Sequence, residues 1–285
     1  MLDAIGPVGL AVIANTGDDT EVHGVHVSPD PDLVTYWLAD AIDERGYGIR
    51  GDTWEVMDAL EAAGRPTWFR LGDRDLAMCL VRTDRLAAGD RPTDAHAAVV
   101  RGMGVKARVL PAADEPVRTR VTTGGRELPF QEFMVLDRGE GPIDAVEFAG
   151  SDAASPTPEV LAAVERADAI VIGPSNPVAS IAPILAIPGM REAIAAASAP
   201  VVAVSPFVGG EVLKGPTLEF CRWAGIEPRA DGLAHAYEGL LDGAVADEPV
   251  EGLPCLVTDT LMDTPEARAT VAATTLDFAK SLRPA

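Results

Sequence analysis

The apolar residues of this 285-residue chain fall into short β-branched runs that alternate with stretches of helical spacing. "GLAVIAN" (9–15) reads as a buried strand that ends in the turn "NTGDD". Helical patterns follow near 32–44, 53–64 and 72–89. Another starts after Thr93, a suitable cap with Asp94 in the first turn. Between 106 and 150 the period changes. "ARVLPA", "VRTRVTT", "RELPFQEFMVLD" and "DAVEFAG" predict strands, with "TGG" at 123–125 as a hairpin turn.

Beyond 150 the alternation resumes. "SPTPEVLAAVERA" (155–167) opens a helix, with Thr157 as cap, Pro158 in the first turn and Glu159 at the positive end. Strands at 169–174, 200–207 and 255–260 are interleaved with helices over "GMREAIAAA", near 216–240 and at the C-terminus. Strands alternating with helices imply an α/β fold: a Rossmann-like, doubly wound, mostly parallel sheet with helices on both faces. The stretch 106–150 reads as a strand-rich subdomain inserted in a single domain spanning 1–285.

Composition narrows the classes. With 47% hydrophobic and 24% charged residues, the chain can bury a sizeable core. Three widely spaced cysteines argue against a disulfide framework and suit a reducing compartment. No apolar run has the length of a membrane span, and no secretory leader is visible, so the expected location is cytoplasmic. A formal net charge of −21 repels nucleic acid and anionic membranes, so neither is expected as a partner. The same charge means that a phosphate-ester ligand needs a divalent cation or a local basic cluster.

In such folds ligands bind beyond the carboxyl ends of the strands. Three strand ends carry candidate chemistry. The first is Asn15 to Asp19. The second is "IGPSNPVASIAPIL" (172–185), where Gly173 lets backbone amides approach an anion and Ser175 and Asn176 add directed hydrogen bonds. The third is "VSPFVGGEVLKGP" (204–216), with Lys214 as a movable cation. Each is also an ordinary loop composition.

The blocks "NTGDD", "HGVHVSPDPD", "DERGYGIRGDTW", "WFRLGDRDLA", "PFQEF", "IGPSNPVASIAPILAIPGMREA", "VSPFVGGEVLKGP" and "TDTLM", in this order, resemble the 2-phospho-L-lactate transferase family (CofD, called FbiA in actinobacteria). The resemblance runs from about residue 10 to the C-terminus. It implies a cytoplasmic step in biosynthesis of the deazaflavin coenzyme F-420, by a homodimer. A ribityl hydroxyl of the deazaflavin Fo attacks phosphorus of lactyl- or enolpyruvyl-diphosphoguanosine. GMP leaves and Mg2+ is required, so the enzyme would be a phosphotransferase of class EC 2.7.8.

Carried onto this chain, the resemblance makes Asp18 the first candidate for Mg2+, with Asp30 as a second carboxylate. Asp30 and Asp32 match the segment that meets Fo, with Asp32 accepting from the ribityl chain or acting as base. Arg70 matches a basic position on the Fo side. Ser175 and Asn176 would hold donor phosphates or guanosine. His23 and His26 lack a third nitrogen or sulfur ligand for a zinc site, so hydrogen bonding near Fo is the expectation for His26. Arg50, Asp52 and Trp54 in "IRGDTW" serve substrate contact or local structure equally well: Asp52 or Thr53 can cap a helix with Trp54 packed below. The charges of "GDRDLA" fit a helix-start capping arrangement. "PFQEF" is expected to place Phe130 and Phe133 in the core, with Gln131 and Glu132 facing out of it.

The chain departs from the family pattern at its start. The family's opening strand and Gly-Gly-x-Gly-x-x-Lys turn have no counterpart in "MLDAIGPVGLAVIAN". The expectation is a start assigned too far downstream or a trimmed chain. Loss of a central strand predicts two unpaired strand edges, with poor solubility and little transferase activity. Smaller departures are "AADEP" and Pro129. Three rivals remain: a non-catalytic nucleotide-sugar-binding regulator of the related gluconeogenesis-factor group, a pseudo-enzyme, and a dinucleotide-dependent oxidoreductase. The blocks "RGDTW" and "FRLGDRD" disfavour the first, and the lack of an intact GxGxxG after a strand disfavours the last.

Overall fold

The computed structural model describes residues 1, 5–212 and 215–282; Lys214 lies outside the described residues. The N-terminal half holds β1 (Ala11–Ala14), the hairpin β2 (Thr20–Val22) and β3 (Val25–Val27), and helices α1 (Pro29–Leu38), α2 (Glu55–Ala62), α3 (Asp73–Ala87) and α4 (Pro92–Gly102). The middle holds β4 (Arg108–Pro111), β5 (Arg118–Thr123), β6 (Arg126–Pro129), α5 (Phe130–Val135) and β7 (Ala145–Ala149). The rest comprises α6 (Pro158–Glu165), β8 (Ile170–Ile172), α7 (Ala182–Leu185), α8 (Met190–Ala195), β9 (Val201–Val204) and the short pair β10 (Phe207–Val208) and β11 (Glu211–Val212). Then come α9 (Thr217–Ala224), α10 (Asp231–Ala236), β12 (Gly243–Ala246), β13 (Cys255–Val257) and α11 (Pro265–Ser281).

The architecture is α/β, as expected. Four parallel strands run in the order β13-β12-β9-β8, and β1 pairs in parallel with β4. Every residue of β9 and β12 is buried, as for inner strands covered on both faces. β12 was not among the expected strands. Its sequence, Gly-Ala-Val-Ala, is too short and too poor in β-branched residues to stand out. The parallel strands form two ladders rather than one. Among the described residues β1 has a ladder partner only in β4, and β8 only in β9. Most residues of these two strands are half-buried, consistent with two unpaired edges.

The inserted sheet is antiparallel, in the order β6-β5-β7. It starts at Arg118, later than the expected 106, because β4 belongs to the parallel ladder with β1. The stretch "RELPFQEFMVLD" is not one strand. It leaves strand geometry at Pro129 and continues as α5. Phe130 and Phe133, three apart on that helix, both pack on Phe220 of α9, with ring centroids 6.2 and 6.1 Å away. Two aromatics in five residues raise strand propensity, and tertiary packing overrides it here. One apolar cluster takes in Leu110, Val121, Phe133, Ile172, Val201 and Phe220, so the inserted strands share a core with the parallel sheet.

Capping follows the sequence at Thr157, whose side chain accepts from the Val160 amide at 3.2 Å. Thr93 is not a cap. Its amide and hydroxyl both donate to Asp114 Oδ1, at 2.8 and 2.7 Å. The helix instead begins at Pro92, a residue with no amide hydrogen to satisfy. No helix among the described residues is long and apolar enough to cross a membrane.

Candidate functional site

The site begins where β1 ends. Asn15 Oδ1 accepts from the Gly17 amide at 2.7 Å, which curls the chain, and the Asp19 amide closes the turn on the Thr16 carbonyl at 3.2 Å. Gly17 lies hard against β5. Its carbonyl accepts from the Thr119 amide at 2.6 Å, and a Cβ at this position would stand 2.5 Å from Thr119 Oγ1. Only glycine lets the strand and the turn approach this closely.

Four aspartates converge beyond this turn. Asp18 is 5% exposed; its Oδ2 accepts from Gln131 Nε2 of α5 at 3.2 Å, and its Oδ1 is buried without a partner among the described residues. Burial pushes its carboxyl well up, reinforced by the charges of Asp30 and Asp19 and, more weakly, Asp32. Asp30, in the first turn of α1, accepts from Asn15 Nδ2 at 3.0 Å. Burial and the Asp19 charge push its carboxyl up to about 6, against the lowering effect of that hydrogen bond. Asp19 accepts from Ser28 Oγ and from His26 Nε2 at 3.2 Å, and Arg118 Nη1 stands 4.0 Å away.

Asp32, 3% exposed, is ion-paired with the buried Arg82 of α3, whose other nitrogen donates to the His26 carbonyl at 3.1 Å. Burial raises the Asp32 carboxyl, and the Arg82 charge opposes that rise. His96 Nδ1 lies 3.4 Å from Arg82 Nη2, and its Nε2 meets Thr35 Oγ1 at 3.3 Å. Burial, with the neighbouring Arg82 charge, pushes this imidazole down to about 3, so it is neutral. Asp32, Asp75 and Cys79 present ligand atoms within 4.8 Å of one another. Arg82 already neutralises Asp32, and Asp75 accepts from Tyr36 Oη at 2.7 Å, so this group is an ion-pair core.

The model of the family described as 2-phospho-L-lactate transferase CofD matches residues 3–250. The chain belongs to the CofD family. Among its relatives are phosphoenolpyruvate transferases of Kitasatospora aureofaciens, 39% identical over 99% of this chain and 94% of that protein, and of Mycolicibacterium smegmatis, 39% identical over 95% and 88%. A 2-phospho-L-lactate transferase of Methanosarcina mazei is 39% identical over 84% of this chain and 78% of its own. A UPF0052-family protein of Bacillus halodurans shares the fold: TM-score 0.58 at 16% identity, covering 93% of this chain and 90% of the other. The family read from the eight sequence blocks is therefore borne out.

In this CofD-family chain the first two strand ends meet. Asn176 caps the turn Pro177–Ile181 through its Oδ1, which accepts from the Val178 and Ala179 amides at 2.9 and 3.0 Å. The Ala179 carbonyl in turn accepts from Asn15 Nδ2 at 3.4 Å. The oxygen of Asn176 is thus committed to the backbone of this turn. Ser175 is exposed beside Gly173, to whose carbonyl its amide donates at 2.8 Å. Arg70 is not drawn to the carboxylates. It pairs with Asp58 and Glu61 of α2 at 2.6 and 3.3 Å and lies 5.5 Å over the Trp54 ring.

Four residues at the site were given no role there by the sequence reading: Gln131 on Asp18, Arg118 beside Asp19, and the buried Arg82 and His96; Asn15 belonged to the first candidate strand end, but not as the clamp on Asp30. Gln131 was expected merely to face out of the core; it faces Asp18. The signal for Gln131 and Arg118 was present in "PFQEF" and in the alternation of "VRTRVTT". Their targets lie more than 90 residues upstream, and no periodicity reports that.

Proposed function

We propose that this chain transfers a phosphoenolpyruvyl or phospholactyl group from the corresponding diphosphoguanosine donor to the ribityl hydroxyl of Fo, releasing GMP, in coenzyme F-420 biosynthesis. The hydroxyl oxygen of Fo bonds to the phosphorus that carries the acid. The bond from that phosphorus to the bridging oxygen breaks, GMP departs with that oxygen, and the hydroxyl proton passes to solvent or a carboxylate. Positioning and charge neutralisation dominate such displacements.

The observation that carries this reading is the buried, unpartnered Oδ1 of Asp18, close enough to Asp30 and Asp19 for their charges to act on it. An orphaned carboxylate oxygen among like charges fits a hard divalent cation, and Mg2+ characteristically takes only one or two protein carboxylates. Asp18 and Asp30 would hold it, and it would supply charge stabilisation at the transferring phosphoryl group. Gln131 orients Asp18, and Asn15 orients Asp30. Asp32 is held by Arg82 and its buried Oδ2 has no partner among the described residues, which suits it to accept from the ribityl chain and orient the hydroxyl. His26, braced by Asp19, and Ser175 with the Asn176 amide complete the Fo and donor sides.

Incubation with Fo, Mg2+ and each of the two donors, read by mass for the phosphorylated Fo product, tests this. Product with either donor supports it and names the acid. Binding of the nucleotide without product from either donor would move the reading to the nucleotide-sugar-binding regulator.

A further inference from the structure

We infer that Arg118 is the anion-binding residue for the donor diphosphate, beside the Asp18–Asp19 turn. This rests on the transferase reading and adds a residue to it.

Asp18, Asp19 and Asp30 gather at the end of β1 in a chain of net charge −21, and only Asp32 of the four is neutralised by a buried guanidinium. A diphosphate ester brings further negative charge, and one divalent cation does not balance it together with three carboxylates. A cation fixed beside the turn is required, and phosphate oxygens favour guanidinium because its donors match them in pairs.

Arg118 has the geometry for this. It opens β5, and its Nη1 is anchored by the Val117 and Thr16 carbonyls at 2.8 and 3.4 Å. That anchorage, with the Thr119 amide on the Gly17 carbonyl, locks the start of β5 to the NTGDD turn. Arg118 Nη1 stands 4.0 Å from Asp19 Oδ2, longer than a hydrogen bond. Its Nε and Nη2 have no acceptor among the described residues, and the side chain is 28% exposed. The guanidinium is therefore held by one nitrogen, with Nε and Nη2 left for a ligand.

Arg120 provides the comparison. It lies two positions along the same face of β5, in register with Glu147 of β7. Substituting either arginine changes net charge equally. Only Arg118 touches the turn.

The test compares Arg118→Ala, Arg118→Lys and Arg120→Ala with the parent chain, by steady-state kinetics against donor and Fo and by calorimetric titration with GDP in the presence of Mg2+. For Arg118→Ala the KM for donor and the GDP dissociation constant should rise about 10- to 100-fold, the range for loss of paired charge-assisted hydrogen bonds, with the KM for Fo unchanged. Arg118→Lys should recover part of that loss, and Arg120→Ala should match the parent. Equal losses in both arginine-to-alanine variants would reduce the effect to net charge and overturn the assignment. A rise in both KM values that follows a fall in melting temperature would reduce Arg118 to a clamp between β5 and the turn. If Arg118→Ala does not fold, Arg118→Lys with normal melting and unchanged GDP affinity overturns it equally well. Because GDP binding is read without turnover, a parent chain that binds GDP but forms no product sinks the transferase reading and leaves this one standing.

Discussion

Asp52 and Asp73 exchange caps between two helices. Asp73, the first residue of α3, accepts from the Glu55 and Val56 amides of α2 at 3.1 and 3.0 Å, and from Thr53 Oγ1 at 2.6 Å. Asp52, just ahead of α2, accepts from the Arg74 and Asp75 amides of α3 at 2.9 and 3.1 Å. The blocks "RGDTW" and "FRLGDRD" therefore share one structural clasp. Gly72 admits it, since a Cβ there would meet Asp52 Oδ2 at 2.2 Å.

Removing one side of the clasp should loosen both helices. Asp52→Ala is expected to cost about 0.5–2 kcal/mol, the usual range for a lost helix cap, with Gly72→Ala also destabilising. Hydrogen bonds from Thr53 and the Val56 and Glu55 amides hold the Asp73 carboxyl below its usual range. Its contribution is present above the unfolded-state value and is lost as pH falls through the lower native one. Urea unfolding at neutral pH checks the first point; a variant indistinguishable from the parent would refute the clasp.

Breaking the Asp32–Arg82 pair leaves an uncompensated charge in the interior. Arg82→Met and Asp32→Asn should each cost about 3–5 kcal/mol, and an apolar double replacement should recover much of it. Chemical denaturation of the three variants decides this. Additive losses in the double variant would mean that the two groups do not act as a pair.

The neutral, buried His96 makes stability depend on pH. Above its unfolded value of 6.5 the imidazole is neutral in both states and contributes nothing. Below it only the unfolded chain takes the proton, so stability falls as pH drops toward about 3, at up to about 1.4 kcal/mol per pH unit. Asp30 and Asp75, pushed up to about 6 chiefly by burial, act in the opposite sense: the folded carboxyls take protons first as pH falls through 6. The difference between the parent and His96→Gln isolates the histidine. A difference that stays flat between pH 6.5 and 4 rejects the assignment.

Magnesium should stabilise the chain at pH 7.5 and much less at pH 5.5, because Asp18 and Asp30 must give up protons to hold it. At tenfold excess over the dissociation constant the gain is about 1.4 kcal/mol, or roughly 2–4 °C in melting temperature. Gln131→Ala should weaken the apparent Mg2+ affinity by about tenfold through loss of the hydrogen bond that orients Asp18. An equal melting shift at both pH values would argue that the ion binds elsewhere.

The sequence alone determined the α/β class, the family and the turn after β1 that carries Asp18. Those depend on local period, turn chemistry and contiguous blocks, all written in neighbouring residues. It misassigned "PFQEF" as strand and passed over β12, where short segments take their conformation from what packs on them. Tertiary structure alone decided which cations serve which carboxylates. Arg70, placed by resemblance on the deazaflavin side, spends its charge on Asp58 and Glu61. Arg82 reaches Asp32 across 50 residues, and Arg118 comes within 4.0 Å of Asp19 across 99. Charge pairing falls off over ångströms of space, and separation along the chain carries no record of that distance.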